Sequence, residues 1–85
     1  MTQLVCVPKN SREEIRISLE TFKGFTFIDM RVYLKEDGKD PIATRKGLAV
    51  APSLWPQFRR ALAQVDAALI ESKILDKEDL EDLAG

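Results

Sequence analysis

Aromatic and basic side chains are concentrated at three places within residues 22–47. These places are Phe22-Lys23-Gly24-Phe25, the pair Arg31 and Tyr33, and Arg45-Lys46-Gly47. Proteins that bind single-stranded nucleic acids combine cations that contact phosphates with aromatic rings on which bases stack. The glycines suit such a surface, because a backbone without a Cβ atom lets a ligand approach closely. Taken alone, the same pattern is also typical of the solvated face of many β-sheet domains.

Residues suited to catalysis or metal binding are few. The chain has no histidine, the commonest general base and metal ligand, so its single cysteine, Cys6, lacks a histidine that could activate it. The four glycines are isolated and form neither a phosphate-binding loop nor a dinucleotide fingerprint. We therefore expect no enzymatic activity, no cofactor and no metal site.

The composition predicts one small globular domain, with 45% hydrophobic and 32% charged residues among 85. The net charge of −1 conceals an asymmetry: residues 1–70 carry eleven Lys/Arg against eight Asp/Glu, whereas residues 71–85 carry two against six. The body is thus mildly basic and the end acidic. Since no apolar stretch could span a membrane and no signal peptide is recognisable, we expect a cytoplasmic or nucleoid-associated protein, or a nuclear one in a eukaryote.

Alternation of apolar and polar residues predicts strands in the first half of the chain. Residues 15–19 alternate in this way, and residues 25–34 form the longest such segment, with apolar side chains at the even positions facing the core. Two further short strands are predicted at 42–45 and 48–50. The first half therefore reads as a four-stranded sheet.

A change of period then predicts a helix, because apolar residues recur at steps of three and four. The apolar stripe consists of Trp55, Phe58, Leu62, Val65 and Leu69. We expect the helix to begin after an N-cap at Ser53 and to end near Ser72, with a short acidic turn or frayed segment at 76–83. Because the stripe exceeds what one small sheet needs to cover, we predict a symmetric dimer with these residues at its interface.

The motifs, taken in order, resemble the positive-cofactor-four family of transcriptional coactivators. They are Phe22-Lys23-Gly24, Ile28-Asp29-Met30-Arg31-x-Tyr33, Arg45-Lys46-Gly47-Leu48 and Pro52-x-x-Trp55. The resemblance covers about residues 13–70. It implies an α+β fold in which a curved four-stranded antiparallel sheet is followed by one amphipathic helix. It further implies that two copies dimerise through the helix and a sheet edge, with single-stranded DNA lying across the strands.

The resemblance also assigns roles to individual residues. Phe22 would stack on bases, Gly24 and Gly47 would shape turns, and Trp55 would anchor the helix. The basic residues that would face phosphates are Lys23, Arg31, Arg45 and Lys46.

Four aromatic or basic positions of the relatives are changed in this chain, and two of them, Glu13 and Glu20, are acidic here. Leu34 stands where the best-known relatives have a tryptophan, and Phe25 stands where they have a lysine. We therefore expect base stacking to be redistributed towards Phe25, Phe27 or Tyr33.

We divide the chain into an N-terminal extension (1–12), a positive-cofactor-four-like domain (13–72) and an acidic C-terminal tail (73–85). The expected function is binding of single-stranded DNA, with little sequence preference, by a homodimer that serves transcription regulation, replication or repair. The same contacts would permit RNA binding. The alternative is a protein-interaction module, a coactivator-type dimer that contacts the transcription machinery and binds DNA weakly or not at all.

Overall fold

The computed structural model describes residues 2–81 of the chain. Four strands come first: β1 Thr2–Pro8, β2 Glu13–Phe22, β3 Phe25–Leu34 and β4 Ile42–Val50. A single 3-10 turn, Pro52–Leu54, leads into helix α1, Trp55–Glu71, and a short helix α2 follows at Lys77–Glu81. The strands form one antiparallel sheet in the order β1-β2-β3-β4. The predicted α+β fold, a four-stranded antiparallel sheet followed by a helix, is confirmed.

The chain divides between Ser53 and Leu54 into two compact units. The first contains the sheet and the second contains both helices. Neither of the described helices is long and apolar enough to cross a membrane.

Strands β2 and β3 form a hairpin of ten uninterrupted residue pairs. The first pair is Glu13 with Leu34, and the last, beside the turn, is Phe22 with Phe25. The connecting residues Lys23 and Gly24 both have positive φ angles, 51° and 83°. Positive φ at both central residues is the mark of a type I′ turn, whose twist matches that of the flanking strands. The turn predicted at Gly24 is therefore confirmed.

Strand β4 replaces the two short strands predicted within residues 42–50. Its pairing with β3 shifts register between Arg31 and Tyr33, so that Thr44–Lys46 stand opposite Val32 alone. We call residues 44–46 the β4 bulge. The prediction of two strands was wrong because Lys46-Gly47 was interpreted as the connection between them. A bulge instead keeps the strand continuous and bends it.

Strand β1 was not predicted, because its apolar run lacks the alternation of a half-buried strand. It pairs with β2 from Thr2 and Leu19 to Pro8 and Glu14, with an irregularity between Gln3 and Val5. This strand belongs to the same sheet as residues 13–50, and the division of the chain into three regions stays a prediction.

The β2–β3 hairpin has an apolar face and a polar face, because successive side chains point to opposite sides of a strand. Ile28, on the apolar face, is buried, as is Val50 of β4. The polar face carries Glu14, Arg16, Ser18, Glu20 and Phe22 of β2 with Phe25, Phe27, Asp29, Arg31 and Tyr33 of β3. Three of these polar groups, those of Glu14, Ser18 and Asp29, are buried. Buried carboxylates need partners inside the protein, and those partners define the site described below.

Helix α1 begins at Trp55 with Leu54 as its N-cap, and no side chain caps its first turn. The predicted N-cap at Ser53 was therefore wrong, because Pro52–Leu54 form a 3-10 turn that leads directly into the helix. The helix ends at Glu71, where the N–H of Ser72 donates to the carbonyl of Ala68 at 2.9 Å. The predicted end near Ser72 is confirmed.

The apolar stripe of α1 is accessible along much of its length. The ring of Trp55 stacks on that of Phe58 with centroids 5.7 Å apart, whereas Leu62 and Val65 are 47% and 52% exposed. Leu69 is half-buried. Short helix α2 covers most of the acidic turn predicted at 76–83, of which residues 82 and 83 lie outside the described part of the chain.

Candidate nucleic-acid interface

The end of the β2–β3 hairpin presents two aromatic rings to solvent. Phe22 and Phe25 are paired directly across the hairpin and are 65% and 77% exposed. The ammonium of Lys23 lies 5.4 Å from the centre of the Phe22 ring. We call residues 22–25 the hairpin tip. Two exposed rings beside a cation form a surface on which bases can stack while a phosphate is held nearby.

The β4 bulge presents two exposed cations, Arg45 and Lys46. Within residues 2–81, none of the ion pairs involves either of them or Lys23. An unpaired cation on an exposed segment is available to an anion at little desolvation cost. The bulge is therefore the second place where a phosphate can be held.

The hairpin tip and the β4 bulge lie at opposite ends of β3. Phe25 begins that strand, and Val32, seven residues later, stands opposite the bulge. At the rise of an antiparallel strand, this separates the two by about 24 Å. A ligand that contacts both must therefore be extended and run along the strand.

Arg31 has a different environment from the cations of the tip and the bulge. Its Nε and Nη2 atoms donate to both carboxylate oxygens of Asp29, at 3.1 and 3.0 Å, and its Nη1 donates to the carbonyl of Thr44 at 2.9 Å. The hydrogen bonds to Asp29, together with the negative charge of that carboxylate, raise the pKa of Arg31 above its ordinary value. Its charge is thus neutralised within the protein.

Arg16, directly opposite Arg31 on β2, is paired in the same way. Its Nε donates to Oε2 of Glu14 at 2.6 Å, and its guanidinium lies 4.5 Å from the centre of the Tyr33 ring. The hydrogen bonds from Arg16 and from Cys6 lower the pKa of Glu14. Two like charges face each other across the strands here, and each is compensated by the carboxylate two residues before it.

Cys6 donates its S–H to the same Glu14 oxygen at 3.1 Å. This hydrogen bond, together with the negative charge of Glu14, raises the pKa of the exposed Cys6 thiol. Our sequence predictions missed Arg16, Glu14 and Cys6. The spacing of Glu14 and Arg16, two residues apart on one strand, was the signal that could have revealed the pair.

Gly47 lies within β4. The resemblance had implied that it shapes a turn, and this was wrong. Gly47 pairs with Arg31, and a Cβ atom at this position would come within 2.5 Å of the Met30 carbonyl oxygen and 3.0 Å of the Arg31 Cα. A glycine is therefore required here by the close approach of two backbones, next to the bulge.

The remaining predicted residues are distributed over both faces of the sheet. Tyr33 shares the polar face with Phe27, and its ring is covered by Arg16. Leu34 lies on the opposite face, because the pairing of β2 with β3 contains no bulge that would turn it round. The exposed pair of aromatic residues in this hairpin is therefore Phe22 and Phe25 at the tip.

Comparison with protein families decides the relationship of the chain. The model of the family described as Transcriptional Coactivator p15 (PC4) matches residues 9–61, more than half of the sequence. The chain belongs to the PC4 family. PC4 is the positive-cofactor-four family, so the resemblance inferred from the motifs is confirmed. Both the hairpin tip and the β4 bulge lie inside the matched region.

Individual PC4 relatives agree with this assignment. The chain is 30% identical over 61 residues to the RNA polymerase II transcriptional coactivator KELP of Arabidopsis thaliana, a match that covers 69% of this chain and 36% of that protein. The matched region thus spans about a third of the length of that relative.

Solved structures of PC4 homologues share the fold. One from Burkholderia pseudomallei superposes with a TM-score of 0.70 at 26% identity, covering 76% of this chain and 96% of the other. The bacteriophage T5 homologue of the eukaryotic coactivator PC4, described as implicated in recombination-dependent DNA replication, gives a TM-score of 0.65 at 17% identity. That match covers 100% of this chain and 99% of the phage protein, and shows that the two share a fold.

Proposed function

We propose that this PC4-family protein binds single-stranded DNA with little sequence preference, as a homodimer and without enzymatic activity. The observation that carries the proposal is the hairpin tip, where Phe22 and Phe25 are exposed side by side next to Lys23. Large apolar side chains that are exposed next to each other are typical of interaction and ligand-binding surfaces. The flat faces of unpaired bases provide one.

Binding would combine two kinds of contact. Stacking of bases on Phe22 and Phe25 contributes about 1–3 kcal/mol for each base and is insensitive to sequence, since every base has a π face. Phosphates would be held by Lys23 at the tip and by Arg45 and Lys46 at the bulge. A duplex keeps its bases stacked inside, so it cannot use the first kind of contact.

The homodimer is proposed from the accessible stripe of α1. Leu62 and Val65, about half exposed, would pack against the same residues of a second copy in an isologous contact. Light scattering at micromolar concentration should give twice the chain mass. A monomer under those conditions would contradict this part of the proposal.

The relatives support a role in transcription or in DNA replication. KELP is named a transcriptional coactivator, and the phage T5 homologue is described as implicated in recombination-dependent replication. Both processes expose single strands. We propose that the chain acts on such strands in one of these processes.

A second candidate function is a protein-interaction module of coactivator type. It is favoured by the ion pairs on the polar face, because Glu14 and Asp29 neutralise two arginines that would otherwise attract DNA. In that case the accessible surfaces would contact a component of the transcription machinery.

Fluorescence anisotropy with one labelled sequence, offered as single-stranded DNA, duplex DNA and RNA, tests the leading proposal. We expect the single-stranded DNA to bind most tightly, with a log–log salt slope of roughly −0.7 for each phosphate neutralised. Tighter binding of RNA would redirect the assignment to RNA. Equal, weak affinity for all three ligands would contradict nucleic-acid binding and favour the interaction module.

A further inference from the structure

We infer that Arg31 is a positioning residue, which holds the β4 bulge in the shape that presents Arg45 and Lys46 to a nucleic acid. Its partners in this role are Asp29 and Thr44. The inference rests on the proposed binding of single strands, and it assigns Arg31 a role different from the phosphate contact implied by the family resemblance.

The hydrogen bonds of Arg31 fix its guanidinium within the sheet. Two of its nitrogens hold both oxygens of Asp29, a carboxylate that is buried on the polar face, and the third holds the carbonyl of Thr44. The planar guanidinium matches this fork of acceptors in a single orientation. Three of the five N–H donors of Arg31 are thus already used and its charge is compensated by Asp29, which disfavours a phosphate contact.

Thr44 transmits this constraint to the bulge. Its hydroxyl donates to the carbonyl of Val32 at 2.7 Å and accepts the N–H of Lys46 at 3.2 Å. A bulge leaves residues of the longer strand without partners in the ladder, so these side-chain contacts replace the missing strand pairing. The series Asp29, Arg31, Thr44 and Lys46 therefore links the polar face of β3 to the backbone that carries the exposed cations. We call this series the brace.

Charge-conserving substitutions separate the brace from a direct phosphate contact. Arg31→Lys keeps the positive charge but loses the fork, so a phosphate contact would survive it and the brace would not. Asp29→Asn removes a negative charge from the polar face. A phosphate-binding Arg31 would then bind DNA more tightly, whereas a loosened bulge would bind it more weakly.

The test is a salt titration of an oligothymidylate by anisotropy with the full chain. We expect Arg31→Lys and Asp29→Asn each to weaken binding roughly three- to tenfold, about 0.7–1.4 kcal/mol, without changing the salt slope. The matched control Lys46→Ala should lower the slope by roughly 0.7. Wild-type affinity for Arg31→Lys, or tighter binding by Asp29→Asn, would overturn the inference.

A second pair of variants guards against general loss of folding. Thr44→Val removes the hydroxyl at nearly constant shape, whereas Thr44→Ser keeps it. We expect the valine variant to bind as weakly as Arg31→Lys and the serine variant to bind like the wild type. Equal binding by the two Thr44 variants would count against the brace.

Amide hydrogen exchange of the protein without DNA distinguishes failure of the brace from failure of the proposed function. In Arg31→Lys, exchange at residues 44–46 should become faster while exchange in the middle of the β2–β3 hairpin stays unchanged. Unchanged exchange at 44–46 would refute the brace, whatever the DNA results. Faster exchange at 44–46 in a protein whose wild type binds no oligonucleotide would retain the brace and refute the proposed function.

Discussion

Gly47 offers a direct test of how closely β3 and β4 approach each other. A Cβ atom there would lie 2.5 Å from the Met30 carbonyl oxygen, 3.0 Å from the Arg31 Cα and 3.2 Å from the Arg31 Cβ. The first two are backbone atoms, so they cannot rotate away as the end of a flexible side chain could. The guanidinium of Arg31 also donates to the carbonyl of Thr44 at 2.9 Å, a contact that ties β3 to β4 close to this point.

The expected loss of stability follows from this crowding. Forcing an extra carbon into a packed contact costs about 1–3 kcal/mol. For a chain of 60–100 residues, each kcal/mol lowers Tm by about 4–8 °C, so Gly47→Ala should lower Tm by roughly 4–24 °C. Circular dichroism melts measure this, with the protein concentration held equal because Tm of a dimer depends on it.

Gly24 provides the matched control, because its requirement is conformational and not steric. Its φ of 83° is in the left-handed region, and nothing lies within 4 Å of a Cβ atom placed there. Asparagine tolerates that region, so Gly24→Asn should be milder than Gly24→Ala. At Gly47 both residues should be damaging to a similar degree. Ordinary surface substitutions change stability by up to about 0.5 kcal/mol, which corresponds to roughly 2–4 °C here. A Tm of Gly47→Ala within about 2 °C of the wild type would therefore refute the reasoning.

Three further predictions concern binding and reactivity. In anisotropy titrations, Lys46→Ala should reduce the salt slope of oligonucleotide binding. Phe22→Ala should weaken the binding free energy by about 1–3 kcal/mol and leave the slope unchanged. Identical slopes for the two variants would contradict this distinction. Because Glu14 raises the pKa of the Cys6 thiol, Ellman's reagent at pH 8 should react slowly with wild-type protein and faster with Glu14→Gln, and equal rates would exclude the effect. Deleting residues 74–85 should tighten DNA binding at low salt if the acidic end competes with phosphates, a gain that should vanish as salt shortens the Debye length below about 8 Å.

Local patterns were sufficient to predict the hairpin and the helix. The alternation in residues 25–34, the turn at Gly24 and the apolar stripe from Trp55 to Leu69 each depend on neighbours a few residues away. Such patterns follow directly from the periods of a strand and of a helix. The exposed aromatics of the tip could be proposed for the same reason, since both flank the turn.

Features that depend on pairing across strands could not be predicted in the same way. Whether Arg45 and Lys46 end a strand or lie in a bulge depends on the register with β3, which the sequence of β4 alone does not contain. The ion pair of Asp29 with Arg31 was visible in the spacing, but its contact with Thr44 requires the bulge. Phosphate contact by Arg31 was accordingly an assignment from resemblance, made without knowledge of its partners.

The shifts of pairing register in the two edge strands of the sheet have a consequence for aggregation. Strands β1 and β4 are the two outer strands, and each contains a shift in pairing, between Gln3 and Val5 in the first and at residues 44–46 in the second. A long, regular outer strand is a template onto which further chains add, and this is how amyloid grows. Bulges and lysines interrupt such a template. The segment that presents Arg45 and Lys46 therefore also protects a chain rich in exposed β-structure from open-ended aggregation.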